Sequence, residues 1–476
     1  MLTVTTINPQ TNFNFIEHLS MTISQLLKLI NDIIFLEIGG MPLIVIWLIS
    51  GGAIFTVWMR FINIRAFKHA IDIVRGKYDN PDEVGEVSHF QALATALSAT
   101  VGLGNIAGVA IAIRLGGPGA CFWLTLAGFL GMTTKFVECT LGQKYRLVKP
   151  DGTVAGGPMY YLSEGLSKLG LPFFGKILSI LFAILAICGA LGSSSIYQSN
   201  QSKVGVAQVI PIIAERGWIY GILMVFLVGL VILGGIRRIA SVAATIVPFM
   251  CGIYILGAAY VILTHFTAIP AAITTILTSA FSFKAATGGT LGAIIQGFRR
   301  SAFSNEAGLG IAAIAHSAAK TDEPVREGIV AVLEPFIDTI LVCNLTALVI
   351  ILTGAYNNPE FSNLGGSELT SAAFSTVIPG FPYILALAVF LFAFSTMISW
   401  GYYGQLCWEY LLGSRTAIIY KLLFLLAIFM GSVANPNSVI QFSDAMYLTM
   451  ALPNLLGMYF LASQVSQDLK DYFSRF

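Results

Sequence analysis

The stretch Ser98–Gly108, S-A-T-V-G-L-G-N-I-A-G, lies inside an apolar segment running from about His89 to Ile113. About 20 apolar residues suffice to cross a bilayer, so this segment is long enough to span one. Yet Gly102, Gly104 and Gly108 fall within seven residues, beside the polar side chains of Ser98, Thr100 and Asn105. Each glycine weakens a helix by about 1 kcal/mol relative to alanine, which invites the backbone out of helical geometry. In hydrocarbon an unpaired N–H or C=O costs several kcal/mol, so an unwound stretch survives only around a buried polar cavity. Broken helices of this kind hold substrate and ions in many transporters. A glycine-rich face for close helix packing explains these residues about equally well.

Composition decides the class. The chain has 476 residues, 56% hydrophobic and 11% charged, with a mean hydropathy of +0.80. Soluble domains carry about 25% charged residues, so this is an all-α polytopic membrane protein whose first partner is the lipid bilayer. Long basic runs are absent, which argues against nucleic-acid binding. Six cysteines are scattered through apolar segments without a C-x-x-C pair, and read as buried thiols, neither a disulfide framework nor a metal site. The five histidines are likewise dispersed, without metal-ligand spacing. No phosphate loop, G-x-S-x-G or H-E-x-x-H appears, so the expectation is a protein that is not an enzyme and needs no organic cofactor. The start of the chain lacks a signal-peptide pattern. Residues 1–40 read as a polar tail followed by an interfacial amphipathic helix, Phe15 to Phe35.

Apolar runs long enough to span fall near 41–60, 89–113, 119–140, 175–198, 217–234, 241–264, 290–314, 328–353, 380–410, 415–432 and 439–463, about eleven transmembrane helices. Lysines and arginines crowd alternate loops. Arg60, Arg65, Lys68, Arg75 and Lys77 follow the first span, and Lys144, Arg146 and Lys149 follow the third. By the positive-inside rule the N-terminus lies outside and the C-terminus, with the tail 464–476, in the cytoplasm. No organelle-targeting feature stands out, so a bacterial-type cell (inner) membrane is expected.

Setting 41–60 aside as an extra leading helix leaves ten spans, divisible into repeats of five, 89–264 and 290–463. The opening span of the second repeat, G-F-R-R-S-A-F-S-N-E-A-G-L-G (Gly297–Gly310), is also interrupted, with a G-L-G at Gly308–Gly310 echoing Gly102–Gly104. Five being odd, the two broken helices cross in opposite directions. Matched interruptions in corresponding spans point to a transporter site.

Several polar groups then ask for roles. Ser301, Ser304 and Asn305 are placed to touch a ligand, whereas Arg299 and Arg300 either face a cavity or snorkel to an interface. Glu306 is a further acid at membrane depth. Asp338 is a cation site, a proton site or a structural partner for an arginine such as Arg300, and Glu334, one turn before it, reads as solvated. Ser395, Thr396 and Ser399 place hydroxyls on neighbouring turns, suited to a hard cation such as Na⁺ together with carbonyls of an unwound Ser98–Val101 turn. Each hydroxyl taken singly is equally explained by bonding to its own helix. Gln198 and Asn200 form an outer vestibule or a wetted helix end. Lys135 and Glu138 read as a structural pair, and the tyrosines of Gly156–Tyr161 as interfacial.

The motifs T-V-G-L-G-N-I-A-G-V-A (Thr100–Ala110), K-F-V-E-C-T-L (Lys135–Leu141), G-G-P-M-Y-Y (Gly156–Tyr161), G-G-I-R-R-I-A (Gly234–Ala240), S-N-E-A-G-L-G (Ser304–Gly310) and F-I-D-T (Phe336–Thr339) occur in an order that resembles the alanine/glycine:cation symporter family, over roughly residues 41–465. The resemblance implies a LeuT-like five-plus-five inverted repeat and Na⁺-coupled symport of small neutral amino acids, alanine and glycine. It implies substrate contacts at Thr100, Gly102, Gly104, Asn105, Gln198, Ser301, Phe303, Asn305 and Trp400. It further implies a Na⁺ site from backbone oxygens of Ser98 and Val101 and the hydroxyls of Ser395 and Thr396. The surroundings of Gln198 and the acid at Glu334 depart from the family pattern. A proton-coupled carrier or exchanger, with Asp338 or Glu306 titrating, and a channel remain the rival readings.

Overall fold

The computed structural model describes residues 36–80, 82–282, 289–434 and 447–475. The expected amphipathic helix Phe15 to Phe35 lies outside these residues. Helices dominate, joined by two small hairpins, β1 (Glu37–Ile38) with β2 (Met41–Pro42) and β3 (Leu147–Val148) with β4 (Val154–Ala155).

Each apolar run read from the sequence is largely helical in its described part, with breaks inside the runs 89–113 and 290–314. The first is α1 (Leu43–Trp58), followed by the short α2 (Phe67–Val74). The stretch that opened the reading becomes α3 (His89–Thr100) and α4 (Gly104–Gly116), bent by 51° at their junction. Then come α5 (Ala120–Lys144), α6 (Pro172–Ala207), α7 (Gly217–Ile232), α8 (Gly235–Thr264) and α9 (Phe266–Ala280). The second half holds α10 (Gly289–Asn305), α11 (Ala312–His316), α12 (Pro324–Leu352), α13 (Gly366–Ser375), α14 (Phe381–Leu412), α15 (Ser414–Val433) and α16 (Tyr447–Phe473). Among the described residues seven helices are individually long and apolar enough to cross a membrane, and the bent pair makes an eighth. The remaining candidates, α1 and α7 at 16 residues each and α10 at 17, fall short of that length.

Local chemistry explains the two breaks differently. A capping box starts α3: Ser88 Oγ accepts from Gln91 N–H while the Gln91 side chain accepts from Ser88 N–H. The helix stops at Val101, whose backbone is extended, and Asn105 Oδ1 takes up the freed Gly102 N–H at 2.9 Å. A side chain at Gly102 would stand 2.9 Å from Thr396 Oγ1, so close approach is what requires glycine here. After α10, by contrast, Glu306, Gly308 and Gly310 all take positive φ (59°, 89° and 85°), a left-handed run that no helix tolerates. Asn305 Oδ1 accepts from Ala307 N–H at 3.0 Å, capping this break as Asn105 caps the other. The two G-L-G sequences look alike, but the first serves contact and the second conformation.

The core is formed by α3, α4, α10, α11 and α12 packed against α5 and α14. Widened π-type turns occur in α4, α6 and α12, at Gly104–Gly108, Ala190–Tyr197 and Phe336–Cys343. Such turns are frequent at functional sites, and these deliver Asn105, the approach to Gln198, and Asp338.

Candidate transport site at the two helix breaks

Around the first break, hydroxyl and carbonyl oxygens of α3 and α14 converge. Ser395 Oγ donates to the Ser98 carbonyl at 3.2 Å and to Phe392 O at 2.9 Å. Ser98 Oγ bonds Ser399 Oγ and donates to Thr95 O. Thr396 Oγ1 is buried without a hydrogen-bond partner among the described residues, and faces Gly102. Gln198 Nε2 would lie 3.6 Å from a side chain at Gly102, and Gln198 Oε1 also lacks a partner. Gln198 therefore sits in the interior of the long helix α6, not at a wetted helix end. Asn200 is structural, donating to the carbonyls of Gly431 and Ala434.

Phe303 and Ser304 pack against Gly104 from the second break. The Phe303 ring meets Tyr447 at 4.8 Å and Tyr197 at 5.6 Å, and Tyr447 meets Trp400 at 5.4 Å. Both Trp400 Nε1 and Tyr447 Oη donate to Glu306 Oε1, at 3.0 and 2.5 Å. Glu306 Oε2 is buried with no partner among the described residues. Tyr447 and Tyr197 escaped the sequence reading. Their signal is only an aromatic in an apolar run.

The structure separates residues that the sequence grouped. Ser301 and Asn305, four apart on α10, turn away from the first break and line a cavity of about 20 Å³ beside α1 and α5. Asn305 Nδ2 donates to Ser301 Oγ and Thr339 Oγ1. Thr100 Oγ1 is back-bonded to Ala96 O and Leu97 O, the local arrangement common for helix hydroxyls.

Asp338 does not pair with Arg300. Its carboxylate accepts from Asn105 Nδ2 (2.5 Å), Ser304 Oγ (2.7 Å) and Thr339 Oγ1 (2.8 Å), tying the two breaks to α12. Arg300 instead lies over the Phe303 ring at 5.7 Å. Neither does Lys135 pair with Glu138. Lys135 Nζ donates to Glu334 Oε2 at 3.1 Å, while Glu138 Oε1 accepts from Gly310 N–H and Asn454 Nδ2. Glu334, expected to be solvated, is fully buried because it is held on two sides.

That second side is histidine. His316 Nε2 contacts Glu334 Oε1 at 2.6 Å and its Nδ1 contacts Glu327 Oε1 at 2.6 Å, while His89 Nδ1 bonds Glu327 Oε2. Two of the five histidines that looked dispersed, His89 and His316, thus meet on the Glu327 carboxylate. The chain His89–Glu327–His316–Glu334–Lys135 joins α3, α12, α11 and α5. Cys139 Sγ stands within 4.8 Å of ligand atoms of His316 and Glu334, but those atoms already bond each other. Among the described residues the six cysteines are free thiols, with Cys188 only half-buried. Tyr161, expected at headgroup level, is fully buried and donates to Asn454 Oδ1.

Two interrupted helices, each capped by an asparagine and each facing buried, unpartnered polar atoms, are the arrangement with which secondary transporters hold substrate and ions. The chain belongs to the sodium:alanine symporter family, which matches residues 20–476. It is 40% identical over 435 residues to the sodium/alanine symporter AgcS of Methanococcus maripaludis, covering 90% of this chain and 94% of that one. The sodium/proton-dependent alanine carrier protein of Bacillus sp. (strain PS3) is 33% identical over 403 residues, 81% of this chain and 88% of its own. In architecture the chain resembles MhsT, solved with L-phenylalanine, at a TM-score of 0.56 and 13% identity, covering 83% of this chain and all of that one. The fold is therefore LeuT-like.

Proposed function

We propose that this protein is a Na⁺-coupled symporter of small neutral amino acids, alanine and glycine, working by alternating access. In this reading eleven helices cross the membrane, an extra leading span and two inverted repeats of five, 89–264 and 290–463. The N-terminus lies outside and the C-terminus in the cytoplasm, as the lysine and arginine bias favours. The observation that carries the proposal is the pairing of Ser395 Oγ with Ser98 O beside the partnerless, buried Thr396 Oγ1 at the first break.

Na⁺ binds between α3 and α14, held by the carbonyls of Ser98 and Val101 and the hydroxyls of Ser395 and Thr396. The amino-acid carboxylate meets the N-terminal end of α4 near Gly102 and Gly104, where the helix dipole favours an anion. Gln198 completes the polar wall. Phe303 and Trp400, bridged by Tyr447, close the apolar side and limit side-chain volume. Asp338 acts mainly by fixing Asn105 and Ser304, hence the shape of both breaks. Each Na⁺ moving down a 100 mV potential supplies about 2.3 kcal/mol before its concentration gradient is counted. Bound Na⁺ favours the substrate-competent arrangement by its differential affinity for that state. Ser395→Ala combined with Thr396→Ala is expected to abolish Na⁺-dependent alanine uptake at unchanged expression; retained Na⁺ dependence rejects the site.

One observation supports a second reading. Glu306 is a buried acid with a partnerless oxygen beside the second break, and the Bacillus sp. relative is named sodium/proton-dependent. Proton coupling through Glu306 would give an alanine current driven by pH without Na⁺, lost in Glu306→Gln.

A further inference from the structure

Away from both breaks, a cavity of about 310 Å³ lies between α2, α3, α8 and α12. Val74, Leu93, Leu97, Pro248 and Ile337 typify its lining, in which Arg75 is the one charged side chain. The volume falls at the lower end of ligand-sized cavities. Water is a poor occupant, since an ordered water needs two to four polar partners and the walls offer almost none. A hydrocarbon chain suits them.

Charge identifies the rest of the ligand. Arg75 ends α2 at the rim, exposed, and makes no ion pair with any described residue. Nearby Lys77, by comparison, is paired with Asp72 at 3.1 Å. The same segment carries Arg65 and Lys68, and the lysine and arginine bias puts it at the cytoplasmic surface of the membrane. Basic pockets between membrane helices attract anionic lipid headgroups.

We infer that this cavity is a binding site for an anionic glycerophospholipid, its phosphate on Arg75 and one acyl chain between α3 and α8. The chain lies along Leu93 and Leu97, the flank of the half-helix that also carries Ser98. Pro248, inside the opposing helix α8, lines the same cavity. Lipid occupancy thereby supports the half-helix on the side away from α14.

Native mass spectrometry of the full chain, purified in detergent and competed with dioleoylphosphatidylglycerol against dioleoylphosphatidylcholine, tests this. One phosphatidylglycerol is expected to be retained about fivefold more tightly than phosphatidylcholine, the preference one basic residue near the surface confers. Arg75→Gln should bring the two lipids to equal retention without loss of phosphatidylcholine binding, and Val74→Trp, which fills the apolar part, should reduce both. Arg75 is at the rim, so its variant keeps the test available even if Val74→Trp does not fold. Retention of no lipid, equal retention of both by the wild-type protein, or an unchanged preference in Arg75→Gln would each overturn the site.

Discussion

Thr396→Val separates a cation ligand from a packing residue. Thr396 is 2% exposed and its hydroxyl has no partner among the described residues. A buried unsatisfied polar group costs about 1–3 kcal/mol, so replacing it with a methyl group of similar shape should leave Na⁺-free stability unchanged or raised. In Na⁺ the outcome reverses. Losing a contact to a charged group costs about 1.5–3 kcal/mol, which at 1.4 kcal/mol per decade is roughly a tenfold to 150-fold rise in Kd. Thermal unfolding of the detergent-solubilised protein, titrated with Na⁺ against choline, reads both effects. At a Na⁺ concentration of 100 times the wild-type Kd, linkage gives about 2.7 kcal/mol of stabilisation, and a variant weakened about 100-fold retains about 0.4 kcal/mol. An unchanged Na⁺ midpoint, or a variant already destabilised in choline, would refute the reasoning.

Other consequences can be checked in the same preparations. Lys135→Met leaves Glu334 buried beside His316 without its cation and should cost about 3–5 kcal/mol, most of it recovered in the double variant with Glu334→Gln; a double-mutant cycle by thermal unfolding measures the coupling. Gly431→Ala would place a Cβ 2.4 Å from Ile196 O and 2.7 Å from Ile196 Cα, backbone that cannot easily yield, so a loss of about 1–3 kcal/mol or more is expected. Gly252→Ala, with nothing within 4 Å of the new Cβ, should instead gain up to about 1 kcal/mol in α8. Phe303→Ala removes the ring between Tyr197 and Tyr447 and should let larger neutral amino acids such as leucine compete for alanine uptake, measured as inhibition of labelled uptake at fixed Na⁺.

The breaks were legible because glycine and asparagine are local signals: a helix loses its hydrogen bonds where they cluster, and Asn105 and Asn305 sit where the freed N–H groups need acceptors. What glycine does at each break was not legible, since contact at Gly102 depends on α14, nearly three hundred residues later. The ionic chain was hidden for the same reason. Lys135 and Glu334 are 199 positions apart and His89 and Glu327 are 238 apart, so the near neighbour Glu138 looked the better partner. A spacing of four puts Ser301 and Asn305 on one helical face. It could not show that this face meets α5 while Phe303 and Ser304 meet Gly104. Tyr447, which joins Phe303 to Trp400 and Glu306, carried no pattern at all.

Labelled alanine uptake into proteoliposomes, with and without an inward Na⁺ gradient at equal pH on both sides, tests the central claim most directly. Accumulation above equilibrium only with the Na⁺ gradient is the expected result. Uptake indifferent to Na⁺ and concentrative only when an acid-outside gradient is imposed would contradict it, and would move coupling from Ser395 and Thr396 to Glu306.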